Sequence, residues 1–177
     1  NPHSPTTLRI VIIRLLPELV EHNKRMYRRI VEMLGACLYN EFEVQVAAAA
    51  SLADLAENDL IRDVSDVIGW LQTLLTNDEH PVLPYYAILC LHNLIVADEL
   101  DFDVVVKVLN KKLCNIAEVR QLPDLVREAI ALLLGDGDAV DGEPHSPQVG
   151  AAIRALMELA YDSNQLVRRN VFESLHK

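Results

Sequence analysis

Aromatic side chains are scarce in this 177-residue chain: one Trp, five Tyr and three Phe, 5% of the total. A sheet sandwich draws on aromatic and β-branched residues and on frequent Gly/Pro turns. Half of the residues here are apolar, and Leu, Val, Ala and Ile dominate them; helix packed on helix suits that mix better. Positive charge is short as well. Sixteen Lys and Arg against 26 Asp and Glu give a formal charge of −10. That argues against non-specific nucleic-acid binding, because no global positive field is there to displace counterions from a phosphate backbone. Each apolar run is broken by Asp, Glu, Arg or His before the ~20 residues that span a bilayer. The three cysteines, Cys37, Cys90 and Cys114, are an odd number scattered through apolar patterns. They read as buried free thiols in a reducing compartment, and the expected location is cytoplasmic. The sequence holds no Asn-x-Ser/Thr acceptor and no signal-like stretch after Asn1. It reads as a piece of a longer chain that stays out of the secretory pathway.

What the chain does have is a repeated helical phrase, clearest at 42–76. Phe42, Val44, Val46, the run Ala47, Ala48, Ala49, Ala50, then Leu52, Leu55 and Ala56 form one apolar stretch. Asn58 and Asp59 interrupt it. A second stripe, Leu60, Ile61, Val64, Val67, Ile68, Leu71, Leu74 and Leu75, keeps the i, i+3, i+4, i+7 spacing of an amphipathic helix. Two helices joined by a short polar turn make an antiparallel hairpin. The same plan divides residues 1–177 into hairpins at about 6–40, 42–76, 80–114 and 118–162 and a partial repeat at 163–177. Leu16, Leu52 and Leu91, at corresponding places, lie 36 and 39 residues apart, the period of HEAT or armadillo-type repeats. The expected fold is all-α, an α-solenoid of stacked hairpins.

Local features modify this outline. Thr6 or Thr7 caps the first helix, and Pro17 inside it is expected to kink it or end its regular part. The return helix is read over 24–39, with Gly35 admitting a close backbone neighbour. Val104, Val105 and Val106 allow a buried strand, but helix is favoured because a lone strand would have no partner. The acidic stretch 135–146 is expected to be a solvated loop. Counted from Asp136 as an EF-hand it fails, with Val140, Asp141 and Pro147 where an acceptor, Gly and Glu belong.

Chemistry finds little support. Cys90 and His92, two apart on a helix, point in nearly opposite directions and cannot share a metal. The six histidines accompany no nucleophile elbow or Cys/His signature, and the glycines form no phosphate loop. No catalytic, cofactor or metal residue is assigned. Two features are read as candidate partner-binding residues. Lys24, Arg25, Arg28 and Arg29 make a basic stripe on one helix face. It is either an ordinary solvated face or a docking stripe for an acidic partner segment, with RNA backbone the weaker option. Trp70 sits about 110° from the centre of its helix's apolar stripe. It either packs against an adjacent repeat or anchors a partner.

Three passages together resemble the focadhesin family of very large helical-repeat proteins: LRIVIIRLLPELV at 8–20 with its return helix, YAILCLHNLI at 86–95 followed by 104–113, and 147–175, which ends in DSNQLVRRNVFESL. The resemblance implies a non-enzymatic scaffold that supports the Ski complex and the cytoplasmic RNA exosome in mRNA surveillance, associated with focal adhesions in animals. It carries no catalytic motif. A transport or coat adaptor holding protein cargo on a similar superhelix is the alternative. Neither reading expects a cofactor, a small-molecule substrate or membrane insertion.

Overall fold

The computed structural model describes the backbone of residues 5–112, 116–135 and 147–174. Among these the chain is helical, with no strand. The helices are α1 (Thr6–His22), α2 (Tyr27–Cys37), α3 (Phe42–Glu57), α4 (Ile68–Leu75), α5 (Val82–Val96), α6 (Phe102–Lys112), α7 (Asp124–Gly135), α8 (Pro147–Leu159) and α9 (Gln165–Ser174).

The odd-numbered helices form a ladder, α1 on α3, α3 on α5, α5 on α7 and α7 on α9. They run parallel, as pairs of side chains in register show. Thr6 and Arg9 reach Glu41, just ahead of α3, while Arg14 further along α1 reaches Asp54 at 2.7 Å. The Phe42 and His80 rings lie 4.0 Å apart at the starts of α3 and α5. Asn164 bonds Asp124 at the starts of α9 and α7. The even helices carry the chain back. α2 packs on α3 as well as α1, α4 packs on α5, and α6 lies against both α4 and α8.

Side chains also tie rungs of the ladder through main-chain oxygens. The Ser51 hydroxyl donates to the Ile13 carbonyl at 3.0 Å, and the Cys90 thiol to the Leu52 carbonyl at 3.6 Å. The Asn93 and Asn170 amides donate to the carbonyls of Ala53 and Glu128 at 3.3 Å. Each bond gives a buried or half-buried polar group its partner where two helices meet. Burial pushes the Cys90 thiol up to about 12, so it packs as a small apolar group. Cys37 is half-buried and, like Cys90, unbridged; Cys114 lies outside the described residues.

Pro17 neither ends nor interrupts α1, which runs on to His22 with the proline on its buried face. A proline has no amide to donate four residues back, which frees the Ile13 carbonyl. Ser51 occupies that carbonyl from the next rung, so the helix keeps its backbone satisfied without Pro17's help.

Three helices start later than the apolar spacing predicts. α4 covers only the second half of the stripe read at 60–75. Asp63 accepts the Ser65 amide at 2.9 Å and turns the chain into a 3-10 turn, Val64–Asp66. Ile61 and Val67 are buried all the same. The return helix expected from residue 24 begins as a 3-10 turn, Lys24–Met26, because Asn23 accepts the Arg25 amide. The fourth unit, read from residue 118, opens with a 3-10 stretch, Ile116–Gln121, and α7 starts only after Pro123. A residue before proline is pushed out of the α region. Val104, Val105 and Val106 lie in α6, with Val105 and Val106 buried and Val104 exposed. Gly135, the first residue of the expected acidic loop, ends α7, and the rest of that loop and the calcium reading, at 136–146, lie outside the described residues.

α3 and α5 end alike. Asp59 and Asp98 take left-handed backbone angles, φ 52° and 59°. The following amides reach back to Leu55 and Leu94, at 2.8 and 2.9 Å, which is the six-to-one bond of a Schellman cap.

Candidate partner-binding surface

Tyr27, Ile30, Val31 and Leu34 recur at helical spacing and are buried, which turns Arg28 and Arg29 outward. Lys24 and Arg25, on the 3-10 turn just before, are exposed beside them. The structure therefore brings all four predicted cations together at the N-terminal end of α2. Arg28 meets Glu32 one turn on at 3.5 Å, with both side chains well exposed, so the contact neutralises little of the stripe.

A fifth cation extends it. The guanidinium carbon of Arg62 stands 5.5 Å from the centre of the Tyr27 ring, within cation–π range. Arg62 lies outside the helical run that marks the others, and no local spacing points to it. Burial raises the Tyr27 hydroxyl above its ordinary value, as does the charge of Asp66, whose carboxylate accepts that hydroxyl at 3.3 Å. Asp63 and Asp66 thus bound the basic stripe on the side of Tyr27.

Trp70 is placed apart from these cations. Its ring lies directly on Gly35, where an added Cβ would stand 2.0 Å from Cζ2. Gly35 is six residues beyond Arg29, about 9 Å along the helix. The close neighbour expected at Gly35 is an indole ring instead of a backbone. Trp70 packs between α2 and α4 and keeps part of its surface exposed.

An open cleft of about 370 Å³ lies between the C-terminal halves of α1 and α3. Its lining holds four carboxylates, Glu18, Glu21, Asp54 and Glu57, with Arg14 paired to Asp54. Ser, Cys and His, the usual nucleophiles and bases, are missing from that lining. Among the described residues no group of three His, Cys, Asp or Glu is placed to hold a metal ion, and no helix is long and apolar enough to cross a membrane.

Fold and surface together define an all-helical protein with an exposed basic edge in an otherwise acidic chain. No family model matches this chain, and no curated protein or solved structure matches it.

Proposed function

We propose that the chain is a segment of a HEAT or armadillo-type α-solenoid that works without catalysis, as a surface on which other proteins assemble. The ladder of parallel odd-numbered helices carries this reading. Each new helix repeats the place of the one before it, and side-chain donors reach carbonyls 38 to 42 residues away. Stacking of that kind buries a continuous core and leaves extended faces for partners. The passages that resemble focadhesins extend the reading to a cytoplasmic scaffold for the Ski complex and RNA exosome, associated with focal adhesions in animals.

Lys24, Arg25, Arg28 and Arg29, joined by Arg62, are the docking edge for an acidic segment of such a partner. The exposed part of Trp70 is a separate anchor. Attraction through so few exposed charges is modest and weakens with salt. The test is affinity capture from cytoplasmic extract with the wild-type chain and with Arg25→Glu/Arg28→Glu/Arg29→Glu. Helicase and exosome subunits are expected with the wild type and are lost with the variant. Recovery of vesicle-coat or nuclear-import components in their place overturns the partner assignment. Capture that ignores the charge reversal overturns the docking edge.

A further inference from the structure

An open groove of about 220 Å³ runs between α4 and α6, lined by Gln72, Val104, Lys107, Val108 and Lys111. Both helices have their neighbours in place: Trp70 joins α4 to α2, and α6 lies against α8 as well as α4. The opening therefore belongs to the middle of the ladder. The four residues from α6 follow the spacing i, i+3, i+4, i+7 and form one stripe, on the side away from the buried Val105, Val106 and Leu109. Val108 is half-buried, whereas Val104 and both lysines are exposed. The stripe thus has a valine floor and a lysine rim.

α4 supplies the other wall. None of its eight residues is charged, and the hydroxyls of Thr73 and Thr76 donate to the carbonyls of Gly69 and Thr73 beside them. No carboxylate on α4 competes for the lysines. α6 itself carries three lysines and one carboxylate, Asp103, a turn before Lys107. Among the described residues no ion pair engages Lys107 or Lys111. In a chain of net charge −10, this is a locally positive groove with an apolar floor.

We infer that the groove is a second docking site, separate from the α2 edge, for an extended protein segment in which acidic and aliphatic residues alternate. Lys107 and Lys111 lie four residues apart, about 6 Å along the helix, and so do Val104 and Val108. In an extended segment residues two apart lie about 6.6 Å apart and point to one side. A segment laid along α6 therefore sets every second side chain on the valines and those between beside the lysine rim. Exposed lysine–carboxylate contacts contribute little alone, so the aliphatic contacts are needed as well. Nucleic acid is a poorer match. No aromatic ring lines the groove for a base to stack on, and two lysines in an acidic chain displace few counterions.

Amide NMR titration of the nitrogen-15-labelled chain with the end-capped peptide GELELEG tests this. Shifts are expected at Gln72, Val104, Lys107, Val108 and Lys111, with dissociation on the order of 0.1–1 mM. Lys107→Glu/Lys111→Glu should weaken binding about tenfold or more, and added salt should weaken it in the wild type. Val104→Ser, which leaves the charge alone, should cost about threefold. Arg25→Glu/Arg28→Glu/Arg29→Glu should stay within about twofold of wild type. That variant keeps the groove's fate distinct from that of the α2 edge, since either site can fail while the other stands. The amide spectrum of each free variant verifies its fold. The proposal is overturned by a wild type without shifts, by shifts centred on α2, by a lysine variant that binds as well, or by equal binding of the neutral peptide GQLQLQG. A ten-nucleotide uridine oligomer that moves the same amides more strongly than the acidic peptide overturns it too.

Discussion

Arg127 and Asp162 form a two-pronged ion pair inside the protein. Nε of Arg127 donates to Oδ2 of Asp162 at 2.7 Å and an Nη to Oδ1 at 3.0 Å, with side-chain exposures of 9% and 3%. The guanidinium also reaches the Leu122 carbonyl and Asp124, while the Asn164 amide donates to Oδ1 of Asp162. One residue at the start of α7 thus holds the bend before α7 and the turn between α8 and α9.

Burial alone would raise the Asp162 carboxyl. The hydrogen bonds from Arg127 and the Asn164 amide, with the charges of Arg127 and Arg120, outweigh it and hold the group below its ordinary value. A folded-state value below the unfolded ~3.9 contributes stability above that pH, and the contribution is lost as pH falls through the folded value. Asp162→Asn strands a buried guanidinium and is expected to cost about 3 kcal/mol at pH 7. Urea titrations should show the gap between wild type and variant narrowing below about pH 4. A gap that stays constant or widens on acidification contradicts the linkage.

The Ser51 bond to Ile13 gives a second prediction. Ser51→Ala removes the donor that Pro17 makes necessary and leaves a buried carbonyl unpaired, at about 1–3 kcal/mol. In a Pro17→Ala background the residue-17 amide is restored and can take that carbonyl, so the same serine change should cost clearly less. A four-member denaturation cycle measures the coupling. Equal losses in both backgrounds would mean that Ser51 stabilises α1 by some other route.

Most helices were readable because their cores are local in sequence. The spacing of Tyr27, Ile30, Val31 and Leu34 turns Arg28 and Arg29 outward by helix geometry alone, so the basic stripe is legible in the sequence. What escaped depends on distant residues. Arg62 reaches Tyr27 across a unit boundary, and Arg127 meets Asp162 over 35 residues. The late start of α4 follows from one carboxylate, Asp63, taking the Ser65 amide within a stretch whose apolar spacing still looks helical. On α1 the apolar residues surround most of the helix, and spacing could not tell its buried side from its open one.

The paired caps at Asp59 and Asp98 predict a gain. A left-handed aspartate is strained where glycine is not. Asp59→Gly and Asp98→Gly are each expected to stabilise by about 0.5 kcal/mol, raising Tm by roughly 1–2 °C apiece for a chain of this length. The two sites sit on different helices, so calorimetry of the double variant should give the sum. A lower Tm in either single variant would show that the aspartate side chain supplies more than the backbone strain removes.

Gly35 and Trp70 make the sharpest prediction, because it changes sign. Alanine at a helix interior normally gains about 1 kcal/mol over glycine. At Gly35 the new Cβ would stand 2.0 to 2.4 Å from three indole carbons, so the ring must move, and overpacking of this kind costs about 1–3 kcal/mol. Gly35→Ala should therefore destabilise the protein on balance. The fluorescence of the chain's single Trp should shift to longer wavelength as the ring moves toward water. With Trp70→Leu already in place the obstacle shrinks, and the same Gly35→Ala change should turn neutral or stabilising. If Gly35→Ala stabilises with Trp70 present and leaves its emission unchanged, the indole does not rest on Gly35 in solution.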